Sequence, residues 1–315
     1  MNSTPNKDWY VIINPHAGSK KTQEDWPKIR KLLVENDFSF DSIFTEYQFH
    51  ATELAMEAIC NNGYRNIIVI GGDGTLNEVV NGVYKQEKVD PLDLTIGVIT
   101  VGTGNDWGRM YNLPSDYNDQ VEVLKTGRTF LQDVGQVSYL HHDEKKIHYF
   151  MNIAGMGFDA LVAKKTNIAK QKGAGGVLTY LVNLVAGLFQ FTYNNIEIEK
   201  EGKPLFKGKV FSMSIGICSY NGGGMMQLPF AISDDGLFDV TIIRKVSRMK
   251  VIRNIKNLYD GSFVKIKEVE TYTGKEFKIT SVPIKSVFLE TDGESLGNSP
   301  LYFNILHKAI KVIIR

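Results

Sequence analysis

Cysteine is scarce: there are 2 in 315 residues, Cys60 and Cys218. Neither sits in a zinc or disulfide spacing, so a disulfide-built secreted scaffold and a thiolate metal site are excluded. Two lone thiols in apolar surroundings fit a reducing compartment. Proline is scarce too, at 9, and no low-complexity linker or internal repeat interrupts the chain. No run of about 18 apolar residues occurs, so no membrane-spanning helix is expected. The nearest approach, residues 177–191 (VLTYLVNLVAGLFQF), is broken by Thr179, Asn183 and Gln190 and reads as a buried amphipathic helix. The first residues lack the basic, apolar and small-residue pattern of a secretory leader, so a cytoplasmic protein is expected. Charge of one sign is missing as well. Lys plus Arg number 36 against 35 Asp plus Glu, which gives no global field for nucleic acid. The 6 His form no H-E-x-x-H pair, and His141-His142 reads as a solvated loop.

Glycine is plentiful, at 29, and it clusters. The clusters fall in a chain that changes character near Gln132. Before that point strands and helices alternate. Apolar runs at Trp9–Ile13, Ile43–Thr45, Asn66–Ile70 and Leu94–Thr100 are separated by stripes of helical spacing, such as Trp26, Ile29, Leu32 and Leu33. The continuous run NIIVI is that of a strand buried on both faces. An α/β domain with a parallel sheet follows. Beyond Gln132 the segments are short and alternating, with turn signals at Glu201-Gly202, Asp235-Gly236 and Asp292-Gly293. A β-rich antiparallel sandwich is expected there. The expected domains are 1–132 and 133–305.

Three loops close strands of the first half. The first is Asn14-Pro15-His16-Ala17-Gly18. The second is Gly71-Gly72-Asp73-Gly74-Thr75, and the third is Gly102-Thr103-Gly104-Asn105-Asp106. Glycines free the backbone to curl its N–H groups around an anion at a helix start. Loops at the C-terminal ends of parallel strands share one edge of the sheet, where ligands of open α/β sheets bind. Thr75 and Glu78 have the spacing of a capping box for a helix from Leu76. Asp73 is odd in a phosphate cradle and makes sense if it holds a cation or accepts a proton or hydroxyl. Gly155-Met156-Gly157-Phe158-Asp159-Ala160 matches a dinucleotide pattern but lacks a strand–helix–strand unit around it. Neither a G-x-x-x-x-G-K-[ST] loop nor a protein-kinase motif set is present.

These loops, with Asn77 and Glu78 after the second and Asp292-Gly293-Glu294 near the end, resemble the diacylglycerol kinase family of lipid kinases in its compact bacterial form, related to sphingosine and ceramide kinases. The likeness runs from Asn14 to about Pro300. Two departures are Ala17, where Ser is commoner, and Trp107-Gly108-Arg109 after Asp106, which was expected to reshape the acceptor mouth. The resemblance implies an N-terminal domain that binds ATP, a β-rich C-terminal domain, and a return of the last residues, 306–315, to the first domain. It implies ATP contacts from Asn14, Pro15, His16, Ala17, Gly18, Thr45, Gly71, Gly72, Asp73, Gly74, Thr75, Leu76, Asn77, Glu78, Thr103 and Asn105.

The resemblance also implies Mg²⁺ at Asp235 with the carbonyls of Ile232 and Leu237, linked through water to Asp73 and Asp106. Read from its residues alone, Ser233–Asp239 is equally a hairpin turn with Asx bonds. Phosphoryl transfer to a lipid hydroxyl needs a group to take the proton. Glu294 is the expected base, with Asp292 its neighbour and runner-up. Asp159 reads either as a head-group ligand or as a solvated loop carboxylate.

The expected partner is a lipid substrate met at a membrane surface by peripheral contact, with no nucleic acid. Arg248, Lys250, Arg253 and Lys256 flank the apolar stripe Val251, Ile252, Ile255, Leu258 and Tyr259 and suit an anionic surface, as do Lys164, Lys165, Lys170 and Lys172. The oligomeric state is open, a homodimer included. A soluble-substrate kinase like NAD kinase and a non-catalytic lipid-binding protein are the alternative functions.

Overall fold

The computed structural model describes residues 8–102, 104–171, 187–188 and 191–315. Thr103 and most of the expected helix at 177–191 lie outside these residues, and so do the side chains of Lys164, Lys170 and Lys172. The chain divides into two compact units, residues 1–132 with 308–315, and residues 133–307.

The first unit alternates as its sequence pattern dictates: β1 (Trp9–Ile13), α1 (Lys21–Glu35), β2 (Phe40–Phe44), α2 (His50–Cys60), β3 (Asn66–Gly71), α3 (Asp73–Lys85), β4 (Thr95–Thr100), α4 (Asp106–Met110) and α5 (Tyr117–Thr126). The sheet order is β2-β1-β3-β4, every pair parallel. Lys311 and Val312, near the end of the chain, add a further parallel pairing on Thr95 and Ile96 of β4. Parallel strands must be covered on both faces. Accordingly Val11, Ile13, Ile68, Ile70 and Ile99 pack with Ile29 and Leu33 of α1 and with Tyr117, Val121 and Leu124 of α5. On α3, Gly82 lets α2 approach closely: a Cβ there would stand 2.6 Å from the Thr52 carbonyl oxygen.

Local readings change in three places. The second strand is Phe40–Phe44, earlier than expected, and Thr45 follows it with its N–H on the Ile13 carbonyl at 2.8 Å. The α3 helix starts at Asp73, with Gly72 as an extended N-cap and no side-chain cap. Thr75 and Glu78 therefore form no capping box. Thr75 Oγ1 instead accepts a bond from Asn14 Nδ2, and Glu78 Oε2 accepts the Ala51 N–H in the first turn of α2. Trp107 is 1% exposed, and its Nε1 donates to Gln132 Oε1, which also accepts from the Tyr111 hydroxyl. It is thus a core wedge and does not line an acceptor mouth.

The second unit is antiparallel. Its elements are β5 (Arg128–His141, entering from the first unit), β6 (Glu144–Phe150), β7 (Ile153–Gly157), α6 (Phe158–Gln171), β8 (Asn194–Lys200), β9 (Lys203–Gly216), β10 (Tyr220–Asn221), β11 (Met225–Met226), β12 (Phe238–Arg244), α7 (Arg248–Asn254), β13 (Val269–Gly274), β14 (Glu276–Val282), β15 (Phe288–Thr291) and β16 (Glu294–Ile314). Long strands let one element serve two layers. The first half of β9 pairs with β8, and its second half pairs with β7 and β12. Hydrogen bonds run β9-β7-β15-β16-β14-β8 and back to β9, so the sandwich closes on itself. Strand β7 feeds α6 directly, so the glycine-rich Gly155–Ala160 segment is a strand–helix junction in an antiparallel setting. The basic and apolar segment that begins at Arg248 is helical to Asn254 and continues as a 3₁₀ turn, Ile255–Leu258.

Candidate active site

In the first unit the three glycine loops follow β1, β3 and β4 and interlock. Asn14 Nδ2 donates to Thr75 Oγ1 at 2.9 Å, and Asn14 Oδ1 accepts the His16 N–H. Gly71 is obligatory, since a Cβ would stand 2.6 Å from Thr75 Oγ1. A Cβ on Gly102 would stand 3.3 Å from the Gly72 Cα, so two backbones meet there without side chains. Gly18, at φ +61°, turns beside the Val101 carbonyl. The Asp73 carboxylate joins the second and third loops. Its Oδ2 accepts the Asp106 N–H and its Oδ1 the Trp107 N–H, both at 3.0 Å, which caps α4 from a distance. Asp106 itself is buried, with Arg109 Nε at 3.9 Å. Asn105, at φ +50°, keeps a buried Oδ1 with no hydrogen-bond partner among the described residues.

Pro15, His16 and Ala17 lie on the first loop, Gly74, Leu76 and Asn77 on the first turns of α3, and Thr45 just past β2. The arrangement is chemically an anion cradle. Its backbone is opened by glycines at the start of the 13-residue helix α3.

In the second unit, the Ser233–Asp239 turn is tied down by Asp133. That fully buried carboxylate accepts the Gly236 N–H at 2.7 Å and holds His307 Nδ1 at 2.9 Å. Asp235 is exposed, and its Oδ1 accepts the Leu237 N–H at 3.0 Å, so the Asx bond is real. Burial, and then the neighbouring charge of Asp235, push Asp239 up to about 6. Asp235 and Ile232 are exposed and Leu237 is half-buried, so a hydrated hard cation would meet one exposed carboxylate here. Among the described residues no group of three or more His, Cys, Asp or Glu side chains could hold a metal ion. The fit therefore rests on one carboxylate, main-chain carbonyls and water.

The Asp292-Gly293-Glu294 turn links β15 to β16. Asp292, at φ +48° and 8% exposed, accepts three backbone N–H groups at 3.1–3.2 Å, from Met151, Asn152 and Ile153. Its lone pairs are committed, so it is an anchor and a poor base. Glu294 is half-buried and lies two residues further on.

Two residues without a motif complete the picture. Glu290, 2% exposed, accepts the Gly293 N–H at 2.9 Å and an Asn221 Nδ2 bond at 3.2 Å. Burial, and then the Asp159 charge, push it up to about 8. Asp159 is in the first turn of α6, not on a solvated loop. Burial pushes it up to about 6 against the hydrogen bond from Ser214.

Asp159, Ser214 and Gln227 are polar members of the lining of a narrow cavity of about 40 Å³. Its walls are apolar, among them Phe158, Val162, Phe211, Val251, Ile255 and Leu258. The last three belong to the α7 segment, whose other side exposes Met249, Ile252 and Tyr259. The basic stripe there is partly neutralised: Lys250 pairs with Glu268 at 2.6 Å, an acid that the linear sequence places far away. Arg253 and Lys256 make no ion pair among the described residues. No described helix is long and apolar enough to cross a membrane.

Comparison with known proteins bears on the family and the fold. Residues 8–137 match the model of the diacylglycerol kinase catalytic domain, and residues 152–314 match that of the YegS C-terminal NAD kinase beta sandwich-like domain. A diacylglycerol kinase of Staphylococcus carnosus is 30% identical over 96% of this chain and 93% of its own. The crystal structure of a diacylglycerol kinase from Bacillus anthracis superposes with a TM-score of 0.70 at 20% identity, over 98% of this chain and 97% of that one. Yeast NADH kinase, complexed with NADH, shares the fold at a TM-score of 0.55 and 14% identity, over 99% of this chain and 88% of its own. With both halves matched and a curated relative at 30% identity over nearly the whole length, the chain belongs to the diacylglycerol kinase family.

Proposed function

We propose that this protein is an ATP-dependent lipid kinase that moves the γ-phosphoryl group of ATP to the hydroxyl of diacylglycerol or a related lipid alcohol. The observation that carries the reading is the interlocked glycine cradle around Gly72. It pairs backbone N–H groups with a helix start and leaves room for phosphates. The apolar cavity of the second unit favours a lipid acceptor over a soluble one such as NAD. The test is transfer of labelled phosphate from ATP by purified protein to a lipid-extract panel, with NAD as a parallel acceptor. Labelled lipid and unlabelled NAD are expected.

In this reading the loops Asn14–Gly18 and Gly72–Thr75 cradle the phosphates, with Thr45, Asn77, Glu78, Thr103 and Asn105 around them. Mg²⁺ would be held by Asp235 with the Ile232 and Leu237 carbonyls and would offset negative charge there. Asp73 positions the third loop through its two N–H bonds. Glu294 takes the proton of the acceptor hydroxyl, and Asp292 holds the turn. Family membership supports a kinase; the donor, the metal and the acceptor belong to this proposal.

Asp73→Ala uncaps α4 and frees the third loop. Turnover should fall at least ~10²-fold, as when a preorganised donor set is lost. More than half the wild-type rate would remove Asp73 from the site. Glu294→Gln keeps size and loses proton affinity. It should lower turnover ~10²- to 10⁴-fold with ATP binding unchanged. Asp292→Asn should instead lower the melting temperature, because one anchor oxygen becomes a donor facing N–H groups. A dead Asp292→Asn variant of unchanged stability beside an active Glu294→Gln would reverse the two roles.

If Asp235 holds Mg²⁺, ligand linkage makes the melting temperature rise with Mg²⁺, and Asp235→Ala should flatten that rise. An identical rise in the variant would leave the turn with its Asx bond alone. Contact with anionic lipid should come from Arg253 and Lys256, the cations of the α7 segment that lack ion-pair partners among the described residues. Their replacement by Gln should weaken flotation with anionic vesicles more than Lys250→Gln does. Wild-type binding should fade with salt as the Debye length shrinks from ~10 Å at 0.1 M to ~3 Å at 1 M. Equal binding to neutral vesicles would defeat this surface.

A further inference from the structure

Glu290 lies outside every motif, yet it is the most enclosed carboxyl of its neighbourhood. On β15 it sits opposite Gly155 of β7 and Ser295 of β16. A Cβ on Gly155 would stand 2.3 Å from Glu290 Oε1 and 3.1 Å from the Asp159 Cβ, so only a glycine separates the two acids. The charged groups facing Glu290 are Asp159 from α6 and Asp292 from its own turn. Strand β10 supplies Asn221, and β7 and β16 supply uncharged residues. No Lys or Arg ion pair reaches Glu290 or Asp159 among the described residues. A buried carboxylate facing two others is costly, and the acid form is the relief. The acid form still satisfies the geometry. One oxygen accepts the Gly293 N–H, while the other accepts from Asn221 and carries the proton.

We propose that Glu290 is a positioning residue that works as a neutral, proton-carrying acid, holding the Asp292-Gly293-Glu294 turn through the Gly293 N–H, and that loss of its proton lowers turnover. The effect on turnover rests on the reading of Glu294 as base; the proton itself does not. With the proton gone, a third negative charge joins those of Asp159 and Asp292. The Gly293 N–H bond itself tightens, but repulsion from Asp292 strains the turn that Asp292 anchors. The alkaline limb of kcat should then fall near pH 8.

The direction for stability follows from linkage. Above the unfolded carboxyl's ordinary value the unfolded chain has released this proton and the folded chain keeps it. Wild-type stability contributed by this site therefore declines as pH rises, and levels off once the folded group ionises near 8. Glu290→Gln copies the neutral acid and removes that slope.

The experiment uses the full chain as wild type, Glu290→Gln and Glu290→Ala. Melting temperature is measured across pH, and kcat and KM are measured with ATP and the best lipid in mixed micelles. Glu290→Gln should keep kcat within about threefold near neutrality, as expected of an isosteric neutral replacement, and shift the alkaline limb up by about one pH unit or more. Its melting-temperature gap over wild type should widen up to pH about 8 and then stay level. Glu290→Ala should lower kcat about tenfold or more with KM for ATP unchanged, since the turn loses its support.

An alkaline limb shared by wild type and Glu290→Gln overturns the proposal. So does a gap independent of pH, or a Glu290→Gln variant with about a hundredfold loss near neutrality, since that would mean the charge is needed. Should Glu290→Gln fail to fold, infrared spectra of wild type decide. A protonated-carboxyl band lost across the alkaline limb supports the proposal, and its absence near neutrality overturns it. Wild type inactive on every lipid would defeat the kinase reading while the melting and infrared arms still test the proton.

Discussion

Two hydrogen bonds carry the candidate nucleotide site: those from the Asp106 and Trp107 N–H groups to the Asp73 carboxylate. A short helix such as α4 has nearly all of its N–H groups unpaired at its start, and Asn105 offers it no cap. Asp73 supplies the cap from the neighbouring loop, and the carboxylate suits the positive end of the helix as well. This arrangement gives the acid of the glycine loop a structural role. Its charge is spent on backbone donors, so it no longer opposes a phosphate as a free carboxylate would. The glycines around it are the steric condition. Gly71 must clear Thr75, and Gly72 must pass Gly102, for the acid to reach its donors.

The second unit repeats the same device in another place. Asp292 gathers three backbone N–H groups, and Asp133 gathers the Gly236 N–H and His307. Both are buried carboxylates that fix turns by binding main-chain donors. Glu290 is the exception. It is buried and faces two acids, and so it is pushed up. Asp133 and Asp292 thus serve as anchors, and Glu290 as the carrier of a proton.

How much of this was legible follows from the range of each signal. Runs such as Asn66–Ile70 declare a parallel strand locally, and glycine loops declare themselves by composition. The α/β half and its three loops were therefore readable, as was the change to antiparallel strands after Gln132. The capping-box reading of Thr75 and Glu78 had the right spacing and failed on tertiary grounds. Gly72 lets α3 begin earlier, and both side chains have better partners in Asn14 and Ala51. Trp107 looked like a surface departure because nothing nearby announces Gln132 as the acceptor for its Nε1.

The unreadable part is the pairing of residues far apart in the chain. Asp133 and His307 are 174 positions apart, and Lys250 meets Glu268 only because β13 turns back along β12. Glu290 was hidden differently. In the run Phe288–Thr291 it reads as the polar member of an alternating strand, where one face is normally wet. The closed path of β7, β15 and β16 buries both faces, and Gly155 then brings Asp159 beside it. A polar residue on a strand that ends in a catalytic-looking turn therefore warrants a burial test before it is assigned to solvent. Alternation reports which residues share a face and leaves open whether that face meets water.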